Sequence, residues 1–260
     1  MDERLHKLLA QHGIGSRRQV ESWIQAGRIQ VNGHPAVLGQ RVGPRDRVVV
    51  DGRDVTKRLA LAPSLRVIVY HKPGGELLRP HEGDDRLAVD TRLPTLRAGR
   101  WLPVNSLGYG EDGLLILTND GALAAAAAKR GRAMPVEYRA RALRPRDAQA
   151  WPDMPRAIEI DGRTVEFASV ERLDGGATNT WFRVTAERAL PRGAIRALFD
   201  EAGLKLNRVM LVRWGPVALP RDLPRGRSRD LLGADLAAVR GFAGDSPKLR
   251  RPAGPRSGGR

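Results

Sequence analysis

Four consecutive aliphatic residues, Leu114-Leu115-Ile116-Leu117, restrict the fold of this chain more than any other feature. Gly113 precedes the run and an Asn119-Asp120-Gly121 turn follows it, so the pattern predicts a buried strand. The alanine-rich segment 122–128 predicts a helix directly after the turn. The polar turn also interrupts the most apolar part of the chain, which leaves no stretch long enough to span a bilayer. The sequence therefore predicts a folded domain that contains this strand.

The rest of the chain up to about residue 232 mixes strand and helix signals. The clearest helix covers residues 193–204, where Ile195, Leu198 and Phe199 share one face and Gly203 ends the pattern. Further strands are predicted in the following segments: 65–73, Val136–Ala142, Thr180–Thr185 and Val209–Trp214. Because the segments show neither an internal repeat nor a regular strand–helix alternation, we expect an α+β fold.

The first sixty residues predict a separate small domain. A first helix carries Leu5, Leu8 and Leu9 and stops at Gly13, and a second begins at Ser16 with a capping-box pattern. Short strand signals follow, separated by tight turns such as Asn32-Gly33. We therefore expect two short helices and a small curled sheet in residues 1–60, a larger domain in 61–235 and a disordered basic tail in 236–260.

The chain is strongly basic, with a formal net charge of +16 and a pI of about 11.3. Such an excess favours a polyphosphate partner, and no long amphipathic basic helix supports a membrane surface instead. Arg17 and Arg18 lie in the first turn of the second helix, where the helix dipole already attracts anions. A solvated helix face would also explain two such arginines. The pattern nevertheless favours a phosphate site.

Several kinds of chemistry find no support in the sequence. The absence of cysteine excludes disulfides, thiol catalysis and sulfur-ligated zinc, and the five histidines lack metal-ligand spacing. Neither a P-loop nor a dinucleotide fingerprint is present. The first residues lack the apolar core of a signal peptide, so a cytoplasmic protein is expected.

Residues 4–33, "RLHKLLAQHGIGSRRQVESWIQAGRIQVNG", strongly resemble the small RNA-binding domain named after ribosomal protein S-four. In that family the two helices lie on the backbone of structured RNA, a mode of recognition that depends on shape and phosphates. The resemblance implies RNA-contacting roles for five residues of this chain: Lys7, Arg17, Arg18, Arg28 and Asn32.

The second domain carries, in order, "YHKPGG", "GLLILTNDG", "VEYRARAL", "GLKLNRVMLVRWGPVALP" and "LPRG". These motifs resemble the bacterial rRNA pseudouridine synthases that carry an S-four domain, most closely the branch acting on large-subunit rRNA. The resemblance implies a mixed, largely antiparallel sheet and an RNA-binding cleft. It also implies the isomerisation of a flipped-out uridine by an aspartate nucleophile, without metal or cofactor. Ribosomal RNA, in particular 23S rRNA or a large-subunit precursor, is the implied partner of a monomer.

The opening loop departs from the family pattern at its centre. Where the family reads V-G-R-L-D and ends on the catalytic aspartate, this chain has Val104, Asn105, Ser106, Leu107 and Gly108. Gly108 offers neither a carboxylate nor a proton acceptor, and loss of a nucleophile can slow an enzyme by about a millionfold. Three other positions keep the family residue: Tyr138 as the base-stacking tyrosine, Arg196 as the arginine that holds the aspartate, and Lys72 as an RNA contact.

Three interpretations follow. The chain could be an inactive family member that binds rRNA during large-subunit assembly. It could be an active synthase that uses Glu111 or Asp112 in place of the lost aspartate. It could also be an RNA-binding protein without site preference. Under the first interpretation Arg196 would lie beside an empty aspartate pocket, which predicts that Gly108→Asp raises the thermal stability.

Overall fold

The computed structural model describes residues 2–60, 64–78, 85–96, 99–145, 148, 150–176 and 178–241. It confirms the α+β class, with a small N-terminal domain followed by a domain built on one large sheet. None of the helices in these ranges combines the length and apolarity needed to cross a membrane.

The N-terminal domain places two helices against short, strongly curved strands. Ser16 caps the second helix as predicted, because its hydroxyl accepts a hydrogen bond from the Gln19 amide at 3.1 Å and the Gln19 side chain accepts one from the Ser16 amide at 3.3 Å. Leu5, Leu9 and Val20 are fully buried between the helices and the strands. The elements are α1 (Leu5–Gln11), α2 (Arg17–Gln25), α3 (Thr56–Leu59), β1 (Glu3–Arg4), β2 (Ile29–Val31), β3 (His34–Pro35), β4 (Arg41–Val42), β5 (Val48–Val50) and β6 (Arg53–Asp54).

A nine-stranded sheet forms the centre of the second domain. Its strands are β7 (Val67–Lys72), β8 (Leu102–Pro103), β9 (Asp112–Thr118), β10 (Val136–Leu143), β13 (Ser169–Gly175), β14 (Asn179–Ala186), β15 (Lys205–Trp214), β16 (Val217–Ala218) and β17 (Ser228–Asp230). The order is β13-β14-β10-β15-β9-β7-β17, with β16 beside β15 and β8 beside β9. Only the β15–β9 pairing is parallel among these strands, which confirms a mixed, largely antiparallel sheet.

The remaining elements pack around this sheet. They are a hairpin of β11 (Ala157–Ile160) and β12 (Arg163–Glu166), the helices α4 (Gly121–Arg130), α5 (Ala194–Glu201) and α6 (Gly233–Gly241), and two 3-10 turns at Val89–Arg92 and Gly131–Ala133. All seven residues of β9 are buried, as the aliphatic run predicts. Leu198 and Phe199 of α5 are fully buried against the sheet.

The predicted tail begins later than expected. Residues 236–241 belong to α6, because Leu236 and Val239 pack against the core of the second domain. The tail prediction is therefore wrong for these six residues, and residues 242–260 lie outside the described part of the chain.

Candidate active-site cleft and nucleic-acid interface

A cavity of about 430 Å³ lies where the loop after β8 meets α4, β10 and the segment before α5. Its lining includes Asn105, Ser106, Gly108, Glu111, Tyr138 and Arg192. The loop that the resemblance aligns with the family's catalytic loop therefore opens into a cleft. The base-stacking candidate Tyr138 borders the same space.

The Asn105 side chain holds the loop to β9 through two hydrogen bonds to the backbone of that strand. Asn105 is buried, its amide nitrogen donates to the Leu114 carbonyl at 2.9 Å, and its amide oxygen accepts from the Ile116 amide at 2.8 Å. These two bonds pair backbone groups of the buried strand β9 and fix the start of the loop. Sequence reasoning assigned no role to Asn105 beyond its place in the altered motif.

Gly108 and Glu111 close a tight turn inside the cleft. The Glu111 amide donates to the Gly108 carbonyl at 3.2 Å, and the Gly108 amide donates to Oε2 of Glu111 at 2.6 Å. A Cβ added at residue 108 would lie 3.3 Å from that same Oε2. The Glu111 carboxylate therefore lies at the start of the space that a side chain at position 108 would occupy.

Tyr138 lies on β10 with only 8% of its surface exposed. Burial, and secondarily the charge of Glu111, raise the pKa of the Tyr138 phenol, so the ring is neutral at physiological pH. A neutral, well-packed aromatic ring at the wall of a cleft suits a stacking role better than acid–base catalysis.

Lys72 lies beneath the loop and not on the RNA-facing surface. Its side chain is fully buried, and its ammonium donates to the carbonyls of Pro73 at 3.0 Å, Tyr109 at 3.3 Å and Glu111 at 2.8 Å. Burial lowers the pKa of Lys72. This geometry contradicts the predicted RNA contact: Lys72 holds together the backbone of the Gly108–Glu111 turn.

Asp112 cannot replace the missing aspartate in this arrangement. Its buried carboxylate accepts from Arg208 at 2.8 Å and from Arg225 at 2.6 Å, and His71 Nε2 lies 3.7 Å from its other oxygen. Burial lowers the pKa of His71, but the Asp112 carboxylate and the Leu223 carbonyl outweigh burial and raise it. Asp112 is therefore the anchor of an ion cluster and does not line the cleft.

Arg196 does not lie where the resemblance implied, because it is not part of the cleft lining. It lies on the exposed side of α5, whereas Arg192, just before the helix, lines the cleft. Helical spacing already turns Arg196 away from the apolar face, but it does not give the position of Arg192, which precedes the helix and is separated from it by Gly193 in a left-handed conformation with φ 83°. The arginine–aspartate pair implied by the resemblance is therefore not assembled from Arg196.

The five residues expected to contact RNA in the first domain differ in their availability. Arg17 and Arg18 are exposed and form no ion pair within the described residues, and α2 has no acidic residue in its first turn. Lys7 pairs with Glu3 at 2.5 Å, and Arg28 binds Asp51 through two hydrogen bonds of 2.7 Å. Asn32 uses its side chain within the turn, donating to Asp46 at 2.8 Å and accepting from the Arg47 amide at 2.9 Å.

Arg17 and Arg18 are thus the residues most available to an incoming phosphate. Together with Lys7 they line a cavity of about 530 Å³ whose described lining contains Arg100 and no acidic residue. Asn32 instead serves the turn, with φ 53° in the left-handed region. Within the described residues, no group of three or more histidine, aspartate or glutamate side chains could hold a metal ion.

Comparison with known proteins assigns families to both domains. A family profile described as "S4 domain" matches residues 3–57, and one described as "RNA pseudouridylate synthase" matches residues 66–216. A solved crystal structure of a pseudouridylate synthase superimposes with a TM-score of 0.54 at 17% identity, over 92% of this chain and 99% of that one. At this identity the superposition concerns the fold alone.

Curated relatives extend the match along the chain. The ribosomal large subunit pseudouridine synthase B of Xanthomonas campestris is 36% identical over 92% of this chain and 49% of its own length. The proteins of that name from Salmonella typhi and Escherichia coli K12 are 35% and 36% identical, over 93% and 91% of this chain and 84% and 81% of theirs. The chain spans about half the length of the first of these relatives. On these matches, the chain belongs to the RNA pseudouridylate synthase family, with an S4 domain preceding the synthase domain.

Proposed function

We propose that this protein binds ribosomal RNA of the large subunit, 23S rRNA or its precursor, and does not isomerise uridine. In this proposal it acts as an RNA-binding factor in the assembly of the large subunit. The observation that carries the proposal is Gly108, which lines the cleft and which the sequence resemblance aligns with the family's aspartate.

Three features support RNA as the partner. The curated relatives are named as ribosomal large subunit pseudouridine synthases, and the chain carries a formal net charge of +16. The S4 domain presents Arg17 and Arg18 without internal partners, at a helix end whose dipole favours phosphate. A surface of this kind binds RNA through its backbone, and binding weakens as salt is added.

The cleft retains parts of a uridine site but lacks its nucleophile. Tyr138 can stack on a flipped base, and Arg192 can attract the adjoining phosphate. The isomerisation further requires a carboxylate that attacks the sugar or assists elimination while the base detaches, rotates and rejoins through carbon five. Residue 108 has no side chain to perform that step, and loss of such a group costs about a millionfold in rate.

An active synthase that uses Glu111 is the second candidate, and a specific observation favours it. The Glu111 carboxylate lies in the cleft, where a Cβ at position 108 would be 3.3 Å from it. Against this candidate, that carboxylate already accepts the Gly108 amide at 2.6 Å, and its own backbone is held by Lys72. Catalytic groups must reach productive geometry within about 0.5 Å, which a carboxylate committed to bracing a turn does not offer.

The two candidates separate in a turnover experiment. Wild type, Glu111→Gln and Tyr138→Ala would be incubated with 23S rRNA transcripts and with immature subunits from cells lacking the protein. Our proposal predicts no pseudouridine with any of them. Turnover by wild type that Glu111→Gln abolishes would establish Glu111 as the catalytic acid instead.

A competition experiment between a 23S transcript and an unrelated transcript distinguishes specific binding from binding without site preference. We expect the wild-type protein to bind a 23S transcript in preference to an unrelated transcript of the same length, at physiological salt. Equal affinity for both, with an equally steep salt dependence, would contradict a ribosomal role and leave a general RNA-binding protein.

A further inference from the structure

The face of the sheet turned away from the cleft carries a concentration of arginine. Along β10, Tyr138, Ala140 and Ala142 point towards the core, so Arg139 and Arg141 point to the opposite face. We call this the outer surface. Its members on the neighbouring strands follow from the pairing register: Trp181 and Arg183 on β14, and Arg208, Met210 and Arg213 on β15.

Like charges lie directly opposite one another on this surface. Arg139 pairs in register with Arg183 on β14, and Arg141 pairs with Arg208 on β15. Like charges at directly opposed positions destabilise a sheet. The two pairs of opposed arginines therefore repel each other in the isolated protein, and a bound anion would reduce this repulsion.

Within the described residues, three acids pair with the five arginines of this surface or their neighbours. Glu137 lies 3.4 Å from Arg139, 3.6 Å from Arg183 and 4.0 Å from Arg213, so one carboxylate serves three guanidinium groups. At the edge towards β9, Asp112 is shared between two further arginines. Glu171, 3.2 Å from Arg183, is the third acid that pairs with these arginines.

Two arginine side chains of the surface are fixed by their neighbours, and Arg208 also donates to Asp112 at 2.8 Å. The Arg208 guanidinium lies over the Trp181 ring, 5.7 Å from its centroid, and Trp181 pairs in register with Arg141. Nη2 of Arg141 donates to Asn179 at 3.0 Å, while its Nε finds no hydrogen-bond acceptor among the described residues. The partly exposed guanidinium groups of Arg139 and Arg183 are the ones open to a ligand, and arginine matches phosphate oxygens better than lysine would.

We propose that the outer surface is a second RNA-binding surface that takes the phosphate backbone of a strand lying across β10, β14 and β15. This rests on the proposed function, since it assumes that the protein binds RNA. Two residues along a strand span about 6.8 Å, comparable with the separation of successive phosphates in an extended strand. Tyr138 and Arg139 are neighbours on opposite faces, so the sheet itself separates this surface from the cleft.

The test compares two double variants that remove the same charge. Arg139→Gln/Arg183→Gln removes two opposed cations of the outer surface. Arg163→Gln/Arg172→Gln removes two exposed arginines of the same domain, on β12 and on the core-facing side of the edge strand β13. Affinity for a 23S rRNA transcript and for an oligouridylate would be measured over a series of salt concentrations.

We expect the outer-surface variant to bind about tenfold more weakly at low salt, with a slope of log K against log salt shallower by about 1.4 on the single strand. The control variant should stay close to wild type. Equal losses in both variants would reduce the effect to net charge and overturn the proposal. Wild-type affinity in the outer-surface variant would also overturn the proposal. The surface would then be a binding site for another polyanion, such as an acidic protein. A wild type that binds no RNA would refute the proposed function itself.

A measurement on the unmodified protein covers the case in which the variant does not fold. Modification of arginines by phenylglyoxal, mapped by mass spectrometry, would be compared with and without bound transcript. The proposal predicts protection of Arg139 and Arg183 while Arg163 and Arg172 stay reactive. Unchanged reactivity at Arg139 and Arg183 in the complex would contradict it.

Discussion

At the scale of single residues, the Glu111 side chain lies against the backbone of Gly108 inside the cleft. Gly108 leaves space in the cleft, and the Glu111 carboxylate accepts the Gly108 amide at the edge of that space. The stability gain expected from Gly108→Asp assumed that Arg196 stood beside an empty pocket. Because Arg196 is exposed and Glu111 is present, that expectation is reversed.

Gly108→Asp should lower the melting temperature. Two carboxylates about 4 Å apart repel by roughly 4 kcal/mol at an effective dielectric constant of about 20. Replacing glycine also lowers the conformational entropy of the unfolded chain, which stabilises the folded protein by only about 0.4–1 kcal/mol. We expect a net loss of about 1–3 kcal/mol in the free energy of unfolding, measured by chemical denaturation.

Gly108→Ala is the matched control, because it adds the same Cβ without the charge and residue 108 has no positive φ. It should unfold within about 0.5 kcal/mol of wild type. The double variant Gly108→Asp/Glu111→Gln should recover most of the loss. A Gly108→Asp protein more stable than Gly108→Ala would contradict the placement of Glu111.

A second residue-scale prediction concerns His71. Its pKa is raised in the folded state, mainly by Asp112 against the opposing effect of burial, so protonation stabilises the fold. This contribution is complete below the ordinary histidine pKa of about 6.5 and is lost as the pH rises through the raised value. The melting temperature of wild type should therefore fall between pH 6 and pH 8 by more than that of His71→Gln. Parallel pH profiles would show that Asp112 and His71 do not interact.

At the scale of elements, the parallel pairing of β15 with β9 depends on one glycine. Gly113 has φ 113°, and a Cβ there would lie 2.2 Å from the Leu211 carbonyl oxygen. No side chain fits without separating the two strands that join the halves of the sheet. This contact explains why the aliphatic run begins directly after a glycine.

Gly113→Ala should therefore destabilise the protein by about 3 kcal/mol or more. Gly110→Ala, in the same loop but with open space around its Cβ and no positive φ, should change stability by less than about 0.5 kcal/mol. Urea denaturation of both variants would measure the difference. Similar stabilities for the two would contradict the close approach of β15 to β9.

Periodic elements were predictable from the sequence, and contacts between them were not. The aliphatic run, the alternation in residues 136–142 and the Ser16 cap each predicted a local structure that the fold contains. The placements of Lys72 and Asp112 were not, because each depends on groups far away in the sequence. Lys72 is buried by the carbonyls of another loop, and Asp112 is held by arginines of β15 and of the segment before β17.

At the scale of the whole molecule, basic surface is distributed over both domains. Arg17 and Arg18 stand at the start of α2, Arg192 at the cleft, and the arginines of β10 and β14 on the outer surface. Under the proposed function, a protein with such surfaces is expected to bind RNA with strong salt dependence and without turnover.

The S4 domain should supply a separable part of this affinity. Arg17→Ala/Arg18→Ala is expected to weaken binding of a 23S transcript by about tenfold and to reduce the salt slope, since two phosphate contacts are lost. Arg45→Ala/Arg53→Ala, which removes two exposed arginines elsewhere in that domain, is the control. Equal losses in both variants, measured by filter binding, would argue against a phosphate site at the start of α2.

The most direct test of the central claim is a single-turnover assay of pseudouridine formation. Wild-type protein in excess would be incubated with 23S transcripts and immature large subunits, with RNA binding measured in the same samples. We predict bound RNA and no new pseudouridine above the protein-free control. Stoichiometric pseudouridine at a defined nucleotide would contradict the claim and show that the cleft retains a working carboxylate despite Gly108.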